Sequence, residues 1–334
     1  MIEIEGLVKT FNGRTVVNNV TFTAHNGRVT GFLGPNGAGK STTMKAMLEL
    51  IHPDSGRVLI DGRPYGKLSS PMRSVGAVLD ARSAHKGLSA YTHLRSLALS
   101  NGIPKKRVDE VVEITGIASV KNRRAGGFSL GMSQRLSIAA ALLGDPHNLV
   151  LDEPINGLDP EGIKWVRDLC RYYASQGRAV LLSSHLMSEV SLTADDLVII
   201  GKGRILRQVS VNRLVSEYSQ HSMRIVTPDP QKVRQALSGA AGIRVDDAER
   251  KEGDPPNGYA LRVSGAPLES TARLLAHSDA VLYQFVEEKV SLEDAYMELT
   301  HDSAEYLTQM PESNVAATGG MATGQKARRR RSRR

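Results

Sequence analysis

Short apolar runs alternate with helical patterns from the first residue to about position 210. Residues 58–60, 75–79, 148–151, 179–182 and 197–200 read as strands, each too short for a stable helix. Such alternation predicts an α/β fold built on a largely parallel sheet. Between positions 88 and 144 the strands stop, and helical segments broken by Gly102-Ile103-Pro104, Gly116 and Gly126-Gly127 predict a helical insertion in that core. After about residue 218 the texture changes. Residues 222–227, 243–247, 259–263 and 281–286 read as strands, and 231–237, 269–276 and 292–299 as helices. The order β-α-β-β-α-β predicts a small ferredoxin-like α+β domain over 219–303. Its loop at 251–258 is polar, rich in Pro and Gly, and suggests no chemistry. Residues 304–334 read as a disordered linker, polar and Ala/Gly/Thr-rich at 311–325, followed by an Arg-rich tail.

Candidate chemistry changes this picture most at residues 34–42. Gly34, Pro35, Asn36, Gly37, Ala38, Gly39, Lys40, Ser41 and Thr42 fit the phosphate-binding pattern G-x-x-x-x-G-K-[ST]. The glycines allow a tight turn that aims backbone N–H groups at phosphate oxygens, Lys40 reaches the outer phosphates, and the Ser41 hydroxyl can ligate Mg²⁺. An apolar run at 28–33 precedes the loop, and residues 40–51 follow it with Met44, Met47, Leu48 and Ile51 at helical spacing. A Gly-rich surface turn would leave a lysine at the helix start unexplained. Hydrolysis also needs a carboxylate for Mg²⁺ and one to orient water. The strand at 148–151 ends in Asp152-Glu153-Pro154, which offers Asp152 to the metal and Glu153 to the water. The strand at 179–182 leads to Ser183-Ser184-His185, so His185 can reach the same phosphate end.

Composition narrows the class without naming it. The chain has 334 residues, 40% hydrophobic and 23% charged, which is ordinary globular usage. No apolar run approaches the roughly eighteen residues that a spanning helix needs. The first ten residues read as a charged strand and lack a signal peptide's apolar segment. The single cysteine, Cys170, excludes an internal disulfide and suits a reducing cytoplasm. Of the formal charge of +8, Lys326, Arg328, Arg329, Arg330, Arg331, Arg333 and Arg334 supply seven, so the rest of the chain has no basic bias.

Over about residues 1–210 these motifs, in this order, resemble the ATP-binding subunits of ABC transporters. The resemblance implies a P-loop NTPase core of the ABC type over 1–218 with its helical subdomain at about 88–144. It makes residues 34–42 the Walker A loop, 149–153 the Walker B strand with Glu153 as catalytic glutamate, 156–159 the D-loop and His185 the switch histidine. Phe11 stands where the family places an aromatic that stacks on adenine, and a core aromatic is the alternative. Phe128-Ser129-Leu130-Gly131-Met132 lies at the signature, usually LSGGQ, with Leu130 and Met132 in place of a glycine and a glutamine. Ser129 and Gly131 remain at a helix N-terminus that can present N–H groups to a γ-phosphate. Asp80 stands where the Q-loop glutamine is usual, and no glutamine occurs before Gln134. Asp80 is therefore a candidate contact for Mg²⁺ or water.

The resemblance further implies ATP and Mg²⁺ as ligands and a second ATPase subunit, a homodimer by default, that completes each site. It implies separate multispan permease subunits that dock near 80–94, and a peripheral position on the cytoplasmic face of the membrane. Residues 287–300 are similar to the ending of daunorubicin- and bacitracin-type exporter ATPases, although a generic amphipathic helix would satisfy the same pattern. The cargo class would be a drug, peptide or lipid-like molecule. The Arg-rich tail reads as a solvated extension or as a contact for anionic lipid. Nucleic acid fits it less well, because no aromatic platform accompanies it. The rival class is a soluble ABC-type ATPase of translation or DNA repair, which generally carries two cassettes or an inserted coiled coil; neither is present.

Overall fold

Asn12 and Gly13 adopt left-handed backbone conformations, with φ of 47° and 78°, and close the two-residue turn that hairpins favour. They join β1 (Ile2–Phe11) to β2 (Arg14–Ala24), with Phe11 opposite Arg14. The chain continues through β3 (Val29–Leu33), α1 (Lys40–Met47), β4 (Ser55–Ile60), α2 (Pro71–Ser74) and β5 (Val75–Val78). Then come α3 (Ala90–Ser100), α4 (Lys105–Ile114), α5 (Leu130–Leu142), β6 (Asn148–Leu151), α6 (Pro160–Ser175) and β7 (Ala179–Ser184). The core closes with α7 (Met187–Thr193), β8 (Asp196–Gly201), β9 (Arg204–Ser210) and α8 (Val211–Ser219). This computed structural model describes residues 1–184, 186–219, 222–240, 242–288, 292, 293 and 296. His185, most of the 289–300 segment and the Arg-rich tail lie outside the described residues.

The central sheet has the order β5-β6-β7-β3-β8-β9 and is parallel except for β9. Its inner strands are buried along their whole length because successive side chains enter two different cores. Leu33, Leu149, Leu151, Val180 and Leu182 face the helices α3, α4, α5 and α6. Phe32, Val150, Leu181 and Val198 face α1 and a second, antiparallel sheet of order β2-β1-β4. The largely parallel expectation holds for the first sheet and misses the second. The Asn12-Gly13 turn was the local signal for its hairpin, whereas β4 pairs with β1 from far along the chain.

Helix α1 also ends sooner than its apolar spacing suggests, at Met47 and not at residue 51. Glu49 turns left-handed at φ 54°, Glu49 N donates to Ala46 O, and Leu50 N donates to Lys45 O. These are the bonds of a Schellman close, made without the glycine that normally announces one. No strand interrupts the 79–147 span, where α3, α4 and α5 pack on the sheet.

The C-terminal part contains β10 (Met223–Thr227), α9 (Pro230–Leu237), β11 (Arg244–Asp247), β12 (Tyr259–Ser264), α10 (Leu268–Ala276) and β13 (Gln284–Glu287). These strands form an antiparallel sheet of order β11-β12-β10-β13. Its core of Met223, Ile225, Val233, Leu237, Leu261, Val263 and Leu275 lies between the sheet and its helices. The last strand begins at Gln284 rather than at residue 281, because Val281 O is taken by the Thr227 hydroxyl at 2.6 Å. Arg224 is 3% exposed, and its guanidinium forks onto both carboxylate oxygens of Asp254, at 3.1 and 2.7 Å. The 251–258 loop is thereby fastened to the sheet.

The Arg224 hydrogen bonds hold the Asp254 carboxyl below its ordinary value of 3.8, with a further bond from Lys251 N. A depressed carboxyl contributes stability that is complete above its unfolded value and lost as pH falls through the folded one. Asp254→Asn therefore lowers Tm at neutral pH, and the deficit relative to the unaltered protein shrinks as pH drops below 3.8. Paired thermal melts across that range check this, and a deficit independent of pH contradicts it.

Candidate nucleotide site

Parallel register brings the loops after four strands to one edge of the sheet. Leu33 lies opposite Ser184, Leu182 opposite Leu151, and Leu151 opposite Val78. Gly34, Asp152 and Asp80 follow within two residues of those positions, and so meet along one edge.

The 34–42 loop is shaped as much by its neighbours as by its own turns. A side chain at Gly34 would place its Cβ 2.7 Å from Ile200 Cγ2, and one at Gly39 would come within 2.8 Å of Val16 O. Gly37 and Gly39 have φ of 82° and 108°. Pro35 O accepts from Ala38 N at 3.2 Å, and Ala38 O accepts from Gly203 N at 3.1 Å, so the loop is braced from inside and outside. Asn36 and Gly37 are exposed at its tip. Lys40, Ser41 and Thr42 open α1, whose N-terminus presents backbone N–H groups and a positive dipole end.

Lys40 is 7% exposed, and its Nζ donates to Gly34 O at 2.6 Å and to Pro35 O at 3.3 Å. Burial lowers its pKa, and the charges of Glu153 and Asp152 act in the opposite sense. The lysine thus sits in the field of both carboxylates. Asp152 follows β6 directly, and its N donates to Val78 O at 2.7 Å, which fixes it against β5. Glu153 has a left-handed backbone, φ 49°, which costs a residue with a Cβ about 1–2 kcal/mol.

One side chain holds that arrangement together. Ser183, fully buried at the end of β7, donates its hydroxyl to Asp152 Oδ1 and accepts from Glu153 N at 2.9 Å. The donated bond orients the Asp152 carboxylate, and the accepted bond holds the turned Glu153 peptide. The sequence offered only a weak sign of this role, a polar Ser183-Ser184 pair ending an apolar strand.

Asp80 is exposed and folds back on its own loop, with Oδ1 accepting from Arg82 N at 2.8 Å. Ser129 caps α5 by accepting from Met132 N at 3.2 Å. Gly131 lies close against Gly157 and Leu158 of the 156–159 loop. Phe11 is 43% exposed at the end of β1, with Lys9 Nζ 5.3 Å from its ring centre, which rules out the core-aromatic alternative. His185 is the one predicted site residue outside the described residues, although its neighbour Ser184 accepts from Leu186 N at 3.0 Å.

Comparison with known proteins shows the family of the chain. A family described as "ABC transporter" matches residues 17–156. The chain is 34% identical over 309 residues to the uncharacterized ABC transporter ATP-binding protein YhcH of Bacillus subtilis (strain 168), covering 91% of this chain and 97% of that protein. The chain belongs to the ABC transporter ATP-binding family. This ABC ATPase is also 38% identical over 217 residues to the bacitracin transport ATP-binding protein BcrA of Enterococcus faecalis, covering 64% of this chain and 70% of that protein. Among solved structures it resembles cbiO1 from Clostridium perfringens, described as part of the ABC transporter complex cbiONQ. That match has a TM-score of 0.57 at 27% identity and covers 71% of this chain and 96% of the other.

Removing the Ser183 hydroxyl takes a partner from both acidic residues at once. Ser183→Ala in this ABC ATPase therefore lowers kcat by about 10- to 100-fold, as loss of a supporting hydrogen bond typically does. The Kd for ATP stays within about twofold, because the 34–42 loop is untouched. Ser183→Thr, which keeps the hydroxyl, recovers most of the rate. Steady-state turnover together with equilibrium ATP binding checks this, and full turnover by Ser183→Ala contradicts it.

Proposed function

We propose that this ABC ATPase pairs with a second such subunit, closes on ATP, and drives a separate membrane permease as an exporter. The observation that carries the reading is the Ser183-bridged Asp152 and Glu153 set opposite Lys40 at the end of one sheet. In this reading Lys40 and the N–H groups of residues 34–42 hold the phosphates. Glu153 orients the attacking water, His185 steadies charge developing on the γ-phosphate, and Phe11 stacks on adenine. Ser41 and Asp152 supply hard oxygen donors of the kind Mg²⁺ takes alongside phosphate oxygens, with Asp80 a further candidate on the same edge. When bound, Mg²⁺ offsets phosphate charge. Ser129 and Gly131 at the start of α5 serve the nucleotide of the second subunit.

Several features support the wider reading. No helix among the described residues is long and apolar enough to cross a membrane, and cbiO1 is described as part of a transporter complex, so motion passes to separate permease subunits. The surface at 80–94 is the proposed contact, and a peripheral position on the cytoplasmic face of the membrane belongs to the same proposal. Export of a drug, peptide or lipid-like cargo is the reading that the similarity to a bacitracin transport ATPase and the 287–300 sequence support. We read 1–218 as the ATPase domain and 219–303 as an accessory domain whose strand order is that of a ferredoxin-like sheet. The Arg-rich tail at 326–334 is proposed to meet anionic lipid.

Glu153→Gln retains ATP binding, loses at least about 100-fold in kcat, and accumulates as an ATP-bound dimer that copurifies from membranes with a multispan protein. Turnover near normal rejects Glu153 as the water-orienting group, and a strictly soluble pool rejects the permease. Asp80→Gln changes the Mg²⁺ dependence of turnover or its maximal rate. If titration of Mg²⁺ against ATPase rate leaves both unaltered, Asp80 has no contact at the site.

A further inference from the structure

The departure at position 130 has a structural counterpart in the 156–159 loop. Leu130 opens α5 at the place where the family pattern has a glycine, and it is 38% exposed. Gly157 faces it with φ 75°, and a Cβ built there would lie only 2.5 Å from Leu130 Cγ. The Leu130 side chain occupies the volume that any side chain at 157 would need. Beside it, a Cβ on Gly131 would lie 2.9 Å from Gly157 O and 3.4 Å from Leu158 Cδ2. A large residue at one position and bare backbone at two others therefore interlock.

A second attachment lies further along the same two segments. Arg135 of α5 stacks on the ring of Trp165 of α6 at 4.7 Å, and its Nη1 donates to Thr115 O at 3.1 Å. Trp165 Nε1 donates to Ile114 O at 3.1 Å, so the end of α4 is drawn into the same joint. The start of α5 is thus fixed to the segment carrying the 156–159 loop at two separated points, which resists both sliding and rotation.

We propose that Leu130 and Gly157 form a knob and notch within one subunit that holds the signature turn against the D-loop, so that both meet the second subunit as one preformed surface. Leu130 and Gly157 are positioning residues in this proposal, acting through the placement of Ser129, Gly131 and Asn156. The proposal deepens the composite-site reading and rests on it. Preforming the surface lowers the ordering cost of closure, which is the ordinary gain from preorganisation.

A double-mutant cycle separates the packing from the backbone. Gly157→Ala introduces both the clash with Leu130 and the strain of a left-handed alanine, whereas Leu130→Gly relieves the clash but also removes the knob, so alone it weakens ATP-driven dimerisation by less than Gly157→Ala does. In a Glu153→Gln background, Gly157→Ala is expected to weaken ATP-driven dimerisation, read by sedimentation, by about tenfold or more. Adding Leu130→Gly is expected to recover at least about fivefold, and ATP binding to the isolated subunit stays within about twofold throughout. Hydrogen exchange at the amides of residues 156–159 is the local readout. It rises in Leu130→Gly and in Leu130→Ala without nucleotide present. Strictly additive effects in dimerisation, with unaltered exchange at 156–159, overturn the knob and notch. Failure of the Glu153→Gln subunit to dimerise on ATP overturns the composite site instead, and the exchange measurements then decide the intrachain contact alone.

Discussion

Parallel pairing of β5, β6, β7 and β3 is the constraint on which the rest depends. It sets Val78, Leu151, Leu182, Ser184 and Leu33 in adjoining register, so whatever follows each strand emerges along the same edge. The register itself is enforced by burial on both faces. A slip of one residue would exchange the side chains of the two cores, moving Leu149 and Leu151 to the α1 side and Val150 to the other. The chemistry at the edge is therefore positioned by apolar packing that takes no part in it.

On that edge a single buried hydroxyl converts proximity into geometry. Asp152 and Glu153 are neighbours in sequence, and two adjacent carboxylates have no intrinsic reason to point in useful directions. Ser183 arrives from the next strand, orients the first and fixes the peptide of the second. The left-handed turn at Glu153 is a local cost met by this bond and by Asn156 N donating to Glu153 O at 3.3 Å. Lys40, buried among backbone carbonyls and facing both carboxylates, is the opposing charge.

The helical segment is coupled to this edge by shape. Glycines at 131 and 157 let backbones approach, Leu130 fills the gap, and Arg135 on Trp165 makes the second joint. In the C-terminal sheet the same logic runs through charge: the Arg224–Asp254 fork secures a loop made of charged and polar residues, prolines and glycines.

What the sequence determined by itself is what local chemistry dictates. Glycines, a lysine and a serine at fixed spacing define residues 34–42, because the loop must bend, donate N–H groups and carry charge within nine residues. The buried strands were equally legible, since double-sided burial demands continuous apolar runs, and Asp152-Glu153 stood out as acid at the end of one. The tertiary structure alone decided the antiparallel sheet, where β4 reaches back to β1, and the early end of α1, where Glu49 does what glycine usually does. It alone gave Ser183 its two partners and set Leu130 over Gly157. Each of these is a contact between residues far apart in the chain or a conformation imposed from outside the segment. A linear pattern shows which groups a residue has to offer; only packing shows what it meets.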